Sequence, residues 1–255
     1  MYAGTGERMK SGVVPGRVIL LFWGMVILAA TFTSLIFFIP LETYQLYSNF
    51  FEVVIASICM ISCLYAYRTW SERIILLLAA FAFGGFALSN TFWYLYSIAE
   101  NLGRQTVFST ISELGFLGFM LFFIVAFRIE FPQKPGPVSS RIVPGGLFLI
   151  IALMVLGTSG ITPGTALLTF RLLILALLID RAVCHGVYRY PRLWLGICLW
   201  SFASVLYGFR EVVVVPSDLN LLTTNPFLSL VGPLDILSFL LIQLGLFGYL
   251  NSRQD

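Results

Sequence analysis

The sequence predicts an all-α, polytopic membrane protein with eight transmembrane helices, arranged as a 4+4 parallel repeat. Three observations carry that expectation. The 255 residues are 59% hydrophobic and 11% charged, too little polar surface to cover a soluble globule of that size. The apolar residues gather into eight runs, each long enough at 1.5 Å per residue to cross or nearly cross a hydrocarbon core of roughly 30 Å. The basic residues, finally, alternate between the two faces that such runs define.

Residues 1–16 carry Glu7, Arg8 and Lys10 among Gly and Pro and read as a short disordered cytoplasmic lead. The first half spans residues 17–130. Its first run, Val18 to Ile39, lacks a short hydrophobic region followed by a small-residue cleavage site, so it reads as a retained span ending at Pro40. The second, Tyr44 to Tyr67, contains Glu52 and closes on Tyr65, Tyr67, Arg68 and Trp70, an aromatic and basic cluster of the kind found at membrane interfaces. The third, Ile74 to Ile98, holds Gly84 and Gly85, then Asn90, Trp93, Tyr94 and Tyr96 before Glu100. The fourth, Val107 to Phe127, opens on Ser109, Ser112 and Glu113 and ends at Arg128.

Residues 131–141 form a Pro-rich linker whose three prolines deny it helix. The second half, residues 142–255, begins with a run from Ile142 to Leu156 and a turn rich in Gly, Thr and Pro. Its next run, Thr165 to Val187, carries Arg171 early and Asp180-Arg181 late. The seventh, Leu193 to Val215, has Arg210-Glu211 near its exit. The eighth, Phe227 to Leu250, is expected to be interrupted by Pro233 beside Asp235, a break that would free a carbonyl next to the acid.

Orientation follows from the loops. Arg8, Lys10, Arg17, Arg68, Arg73, Arg128, Lys134, Arg141, Arg181, Arg189, Arg192 and Arg253 fall on one face, whereas Arg104, Arg171 and Arg210 lie at or near the other. The positive-inside rule then places both termini in the cytoplasm, in a multi-pass protein of the cytoplasmic (inner) membrane.

An internal echo supports two halves. Leu95-Tyr96-Ser97-Ile98-Ala99-Glu100 returns altered as Leu206-Tyr207-Gly208-Phe209-Arg210-Glu211, and Cys63-Leu64-Tyr65-Ala66-Tyr67-Arg68 as Cys184-His185-Gly186-Val187-Tyr188-Arg189. Glu113 is answered by Asp235. Four spans per half makes the two halves cross in the same sense, a parallel repeat about an axis along the membrane normal.

With that orientation, Glu52, Glu113, Arg171, Arg210, Glu211 and Asp235 sit near the outer ends of their helices. A lone charge at the centre of a bilayer costs on the order of 3 kcal/mol on insertion scales, so such groups should face inward and meet. We therefore expect a polar cavity open to the outside, lined by these six residues with Asn90 and Trp93. The competing structural reading is that they clamp helices together or snorkel to the interface. Glu100, Arg104 and Asp218 suit the interface, and an aromatic belt accounts for most of Asn90, Trp93, Tyr94 and Tyr96. Gly84, Gly85, Gly115, Gly118, Gly245 and Gly248 are expected to allow close helix contact.

Other chemistries have no residues to run on. Cys59, Cys63, Cys184 and Cys198 all lie within apolar runs and read as buried free thiols, with neither redox nor zinc spacing. The one histidine, His185, reads as an interfacial residue beside Arg181 and Arg189. Lys10 and Lys134 lie outside the runs, leaving no lysine for a retinal Schiff base. No nucleophile elbow, Walker loop, H-E-x-x-H or acidic magnesium motif occurs, so no cofactor, metal site or catalytic residue is expected. Nucleic-acid binding has no basic domain behind it.

Trp93, Glu100, Glu113, Pro233 and Asp235 follow a plan that resembles the duplicated multi-helix membrane sensor regions found ahead of cyclase or kinase domains in bacterial signalling proteins. The sequence differs from that plan in ending five residues past its last run, with no output domain. The resemblance implies a sensing module whose effector is a separate protein. The expected partners are thus the lipid bilayer, a small molecule or lipid headgroup, and that effector. The alternatives are a small-solute or proton-coupled transporter and, third, a membrane-embedded lipid enzyme.

Overall fold

The computed structural model describes residues 16–35, 41–69, 73–101, 108–131, 163–212 and 231–252, with Gly146, Leu149 and Leu153. The described residues are helical, with no strand among them. Seven α-helices follow in order: α1 (Gly16–Leu35), α2 (Leu41–Thr69), α3 (Ile74–Asn101), α4 (Phe108–Glu130), α5 (Pro163–Cys184), α6 (Pro191–Val212) and α7 (Val231–Asn251). Four of them contain stretches long and apolar enough to cross a membrane: Tyr47–Thr69, Ile74–Tyr96, Ser112–Glu130 and Val231–Asn251. The run from Ile142 to Leu156 lies outside the described residues, apart from helical backbone at Gly146, Leu149 and Leu153. So do the N-terminal lead, most of the Pro-rich linker, and Arg104 and Asp218.

The polarity of the bundle is that of a protein solvated by lipid. On α3 the exposed apolar side chains are Ile74, Phe81, Leu88 and Leu95, a seven-residue spacing that keeps them on one face. Leu114, Leu121, Val125 and Ile129 do the same on α4. The interior, by contrast, holds Glu52, Asn90, Arg171, Asp235 and Gln243. Water would reverse this arrangement, since a contiguous apolar face is a liability there and a buried charge is costly.

Helices α2, α3 and α4 pack in sequence. Asn90 meets Glu52 while Gly84 meets Met60, so α3 runs antiparallel to α2. Gly85 meets Gly115 and Phe81 stacks on Phe122, so α4 runs antiparallel to α3. Helix α6 packs antiparallel on α7, with Gly245 against Leu193 and Gly196 against Ile242. The two groups join along two seams, α4 on α5 and α2 on α7. Gly232 approaches Ser48 and Gln243 approaches Cys59, so α2 and α7 run parallel. Helix α1 leans on both α2 and α7.

Aromatic rings fill the centre. Phe86 and Phe239 have centroids 4.6 Å apart, Phe119 and Trp200 4.5 Å, and Phe83 lies edge-on to Phe239 at 5.5 Å. These rings come from α3, α4, α6 and α7, and offset or edge-on pairs contribute about 0.5–1.5 kcal/mol each beyond area burial.

Several local expectations are corrected. Among the described residues α7 is continuous from Val231 through Pro233 and Asp235 to Asn251, while residues 227–230, where the expected break would free a carbonyl, lie outside them. The sixth run does not extend to Val187: α5 stops at Cys184, Gly186 takes a left-handed φ of 71°, and a separate 3-10 turn covers Val187–Arg189. Gly85, Gly115 and Gly245 do sit at close helix contacts, and Gly84 lies against Met60 Sδ, but Gly118 and Gly248 face open space among the described residues. His185 is buried rather than interfacial, with Nδ1 2.7 Å from the Phe131 carbonyl oxygen. All four cysteines are free, three of them buried.

Candidate functional site

Each helix delivers its polar residues by simple periodicity. On α2, Ser48 and Glu52 are one turn apart, and Ser48 Oγ donates to Glu52 Oε1 at 3.0 Å. From α3, Asn90 Nδ2 donates to Glu52 Oε2 at 2.7 Å. Both oxygens of the carboxyl group are therefore held, one from its own helix and one from the next. Asn90 and Glu52 are both buried.

The level at which α4 meets α3 is set by the Gly85–Gly115 contact, beside which Ser89 Oγ donates to the Ser112 carbonyl oxygen. That places Glu113 one residue further on. Arg171, on α5, lies with Nη1 3.4 Å from both carboxylate oxygens of Glu113 and with its guanidinium 4.4 Å from the centroid of Phe116. The arginine side chain is 4% exposed and the glutamate 16%, so water reaches only one end of the pair.

Asp235 enters from α7, one turn beyond Gly232, and the two share a face. Gly232 is where α7 touches α2: a Cβ there would collide with Ser48 Oγ and come within 2.9 Å of Glu52 Oε1. Asp235 is buried and acts electrostatically on both Glu52 and Arg171. Its Oδ1 has no hydrogen-bond partner among the described residues.

The structure thus brings together Glu52, Asn90, Glu113, Arg171 and Asp235, from five helices, at the end of the bundle away from Arg68, Arg128 and Arg189. Trp93 is half-buried and stacks on Tyr96 at 5.3 Å, an intrahelical pair one turn from Asn90. Arg210 and Glu211 lie on the last turns of α6, and their side chains fall outside the described residues.

Sequence reasoning missed Ser48, Gly232 and Gln243. Spacing was the available signal, since Ser48 precedes Glu52 by one turn and Gly232 precedes Asp235 by three residues. Gln243 follows two turns below Asp235, accepting from Cys59 Sγ at 3.4 Å through Oε1, while its buried Nε2 has no partner among the described residues. A second polar knot, also unforeseen, closes the opposite end. There Glu130 accepts from Arg73 Nη1 at 2.7 Å and from Tyr249 Oη at 3.0 Å, beside the tilted and edge-on rings of Phe131, Tyr190 and Tyr249. Asp180 and Arg181 pair locally at 3.6 Å at that end, as expected for interfacial neighbours.

Fold and site together define a class: an all-helical bundle with an apolar outer face and a buried cluster of charged side chains within it. Comparison with protein-family models, with curated proteins and with solved structures finds no match. Function is therefore argued from the cluster itself.

Proposed function

We propose that this chain is an eight-span protein of the cytoplasmic membrane, both termini in the cytoplasm, whose outer polar cluster binds a small solute or lipid headgroup and signals that binding to a separate effector protein. The observation that carries the reading is the convergence of Glu52, Asn90, Glu113, Arg171 and Asp235 with one carboxyl oxygen, Asp235 Oδ1, left without a partner. An unmet buried acceptor costs about 1–3 kcal/mol, which a bound group donating to Asp235 Oδ1 or coordinating it would recover.

Helix lengths of 20 residues in α1 and 22 in α5 and α6 support the span count beyond the four helices already long and apolar enough to cross. The seams support two halves: the fourth helix of the first half lies on the second helix of the other, α4 on α5, and the converse contact is α7 on α2. Arg68, Arg128, Arg181 and Arg189 at one end of the bundle support the orientation.

A transporter is the second reading, favoured by the polar line that continues down the α2–α7 seam from Asp235 to Gln243 and Cys59. One experiment separates them. Purified protein in nanodiscs is surveyed by native mass spectrometry for a co-purifying small molecule, which is then added back in a thermal-shift assay and in proteoliposome uptake. A sensing module gains stability from that molecule and moves none of it across the bilayer. Uptake driven by a pH gradient and lost in Asp235→Asn would replace this reading with transport, and no stabilisation by any co-purifying molecule would remove both.

A further inference from the structure

The two seams between the halves are built alike and charged differently. At α4–α5 an acid from the fourth helix of one half, Glu113, faces a base from the second helix of the other, Arg171. At α7–α2 the acid is Asp235, and Glu52 stands where the first seam has its arginine. Glu113 and Asp235 are separated by roughly 120 residues in sequence, as are Glu52 and Arg171, close to the interval of the Cys63 and Cys184 echo. One seam holds an ion pair, and the other holds two carboxyl groups.

Among the described side chains of the cluster, Glu52, Glu113 and Asp235 face a single guanidinium, Arg171. That guanidinium is in contact with Glu113 and reaches Asp235 only at longer range. Glu52 is met by neutral donors, Ser48 Oγ and Asn90 Nδ2. Asp235 is nine-tenths buried, interacts electrostatically with Glu52 and keeps Oδ1 without a hydrogen-bond partner among the described residues. The described side chains nearest this point of the seam offer hard oxygens, the two carboxyls and the Ser48 hydroxyl. The seam is tight at Gly232, one turn before Asp235, where the backbone of α7 rests on Ser48 and Glu52, which favours a bare ion over an organic cation.

We propose that the α2–α7 seam binds a hard metal cation between Asp235 and Glu52, doing for Asp235 what Arg171 does for Glu113. Oxygen ligands of this kind suit alkali and alkaline-earth ions and reject soft transition metals. The cation completes the cluster that receives the solute or headgroup, so the inference rests on the proposed binding role of this site.

The test uses the full chain in nanodiscs, equilibrated at fixed pH and ionic strength with N-methyl-D-glucamine chloride. Sodium, potassium, magnesium or calcium then replaces the organic cation stepwise, and thermal unfolding is followed. The expected result is saturable stabilisation by at least one of the four ions, with apparent affinity falling about tenfold or more in Asp235→Asn and in Glu52→Gln. In Glu52→Arg, which gives the second seam the charge pattern of the first, the ion response disappears. Isothermal titration of the wild-type protein with the same salts gives a readout that does not depend on any variant folding. No saturable heat and no ion-dependent stabilisation would overturn the proposal, as would an ion response unchanged in Asp235→Asn. So would stability that follows pH alone, which would make the occupant a proton. A cation that saturates while no solute stabilises the protein would keep this inference and remove the binding role. A stabilising solute with no cation response would do the reverse.

Discussion

Arg171 is the one guanidinium seen among the clustered carboxyls, and removing it should cost more than removing its partner. Its Nη1 lies 3.4 Å from both oxygens of Glu113, where the attraction is about 5 kcal/mol at an effective dielectric of about 20. The 16% exposure of the Glu113 side chain lets water screen part of that. Breaking a buried pair generally costs about 3–5 kcal/mol, because one charge is left behind uncompensated. Arg171→Gln should therefore destabilise the protein by about 3 kcal/mol, a fall in Tm of roughly 6–12 °C for a chain of this size. Glu113→Gln should cost about 1–2 kcal/mol, since Arg171 keeps its interaction with Asp235. The double substitution should cost less than the two single ones together, with a coupling of about 1–2 kcal/mol. A thiol-reactive dye reports the unfolding directly, because Cys59, Cys63 and Cys184 are free and buried until the bundle opens. Equal costs for the two single substitutions, adding without coupling in the double, would refute the reasoning.

Two further predictions use the same assay. Asn90→Leu removes the donor to Glu52 Oε2 and leaves a buried acceptor unmet, so a loss of about 1–3 kcal/mol is expected; an unchanged Tm would mean that Glu52 is held from elsewhere. Gly115→Ala places a methyl against the Gly85 carbonyl and 2.6 Å from Ser89 Cβ, in a contact made of backbone that cannot swing aside. Its overpacking cost of about 1–3 kcal/mol should exceed the gain of about 1 kcal/mol from replacing glycine in a helix, whereas Gly118→Ala, facing open space, should show only the gain.

The fold class was legible because a bilayer imposes one rule on long segments: backbone groups must be satisfied within the helix, so long apolar runs become helices. The polar residues of the cluster were legible for the complementary reason, that acids and arginines in apolar runs have nowhere to go but inward. Pairing was legible only in part: charge alone matches Arg171 with Glu113, and spacing puts Ser48 one turn from Glu52. Nothing in the run around Glu52 says that the next helix supplies Asn90 rather than Arg171, because that depends on how α2 is rotated against α3 and α7. The rotation is decided by Gly84, Gly85, Gly115 and Gly232, whose value as contacts shows only when the opposing surface is known. Gly118 and Gly248 look identical in sequence and touch nothing among the described residues.

A clamp and a binding site make opposite demands on a buried charge, and the two seams divide along that line. At α4–α5 the two charges meet directly, although Arg171 Nε has no hydrogen-bond partner among the described residues, so substitutions there should act on stability first. At α2–α7 the open oxygen of Asp235 contributes no hydrogen bond to the described bundle, while its burial carries the full cost of desolvation. Asp235→Asn should then leave Tm in N-methyl-D-glucamine unchanged or raise it, because the amide removes a charge from beside Glu52 and can donate to its carboxyl group. The same substitution should weaken the response to added cation about tenfold or more, and the response to solute with it. A fall in Tm comparable to that of Arg171→Gln would show that Asp235 holds the helices together, and would return the α2–α7 seam to a structural role.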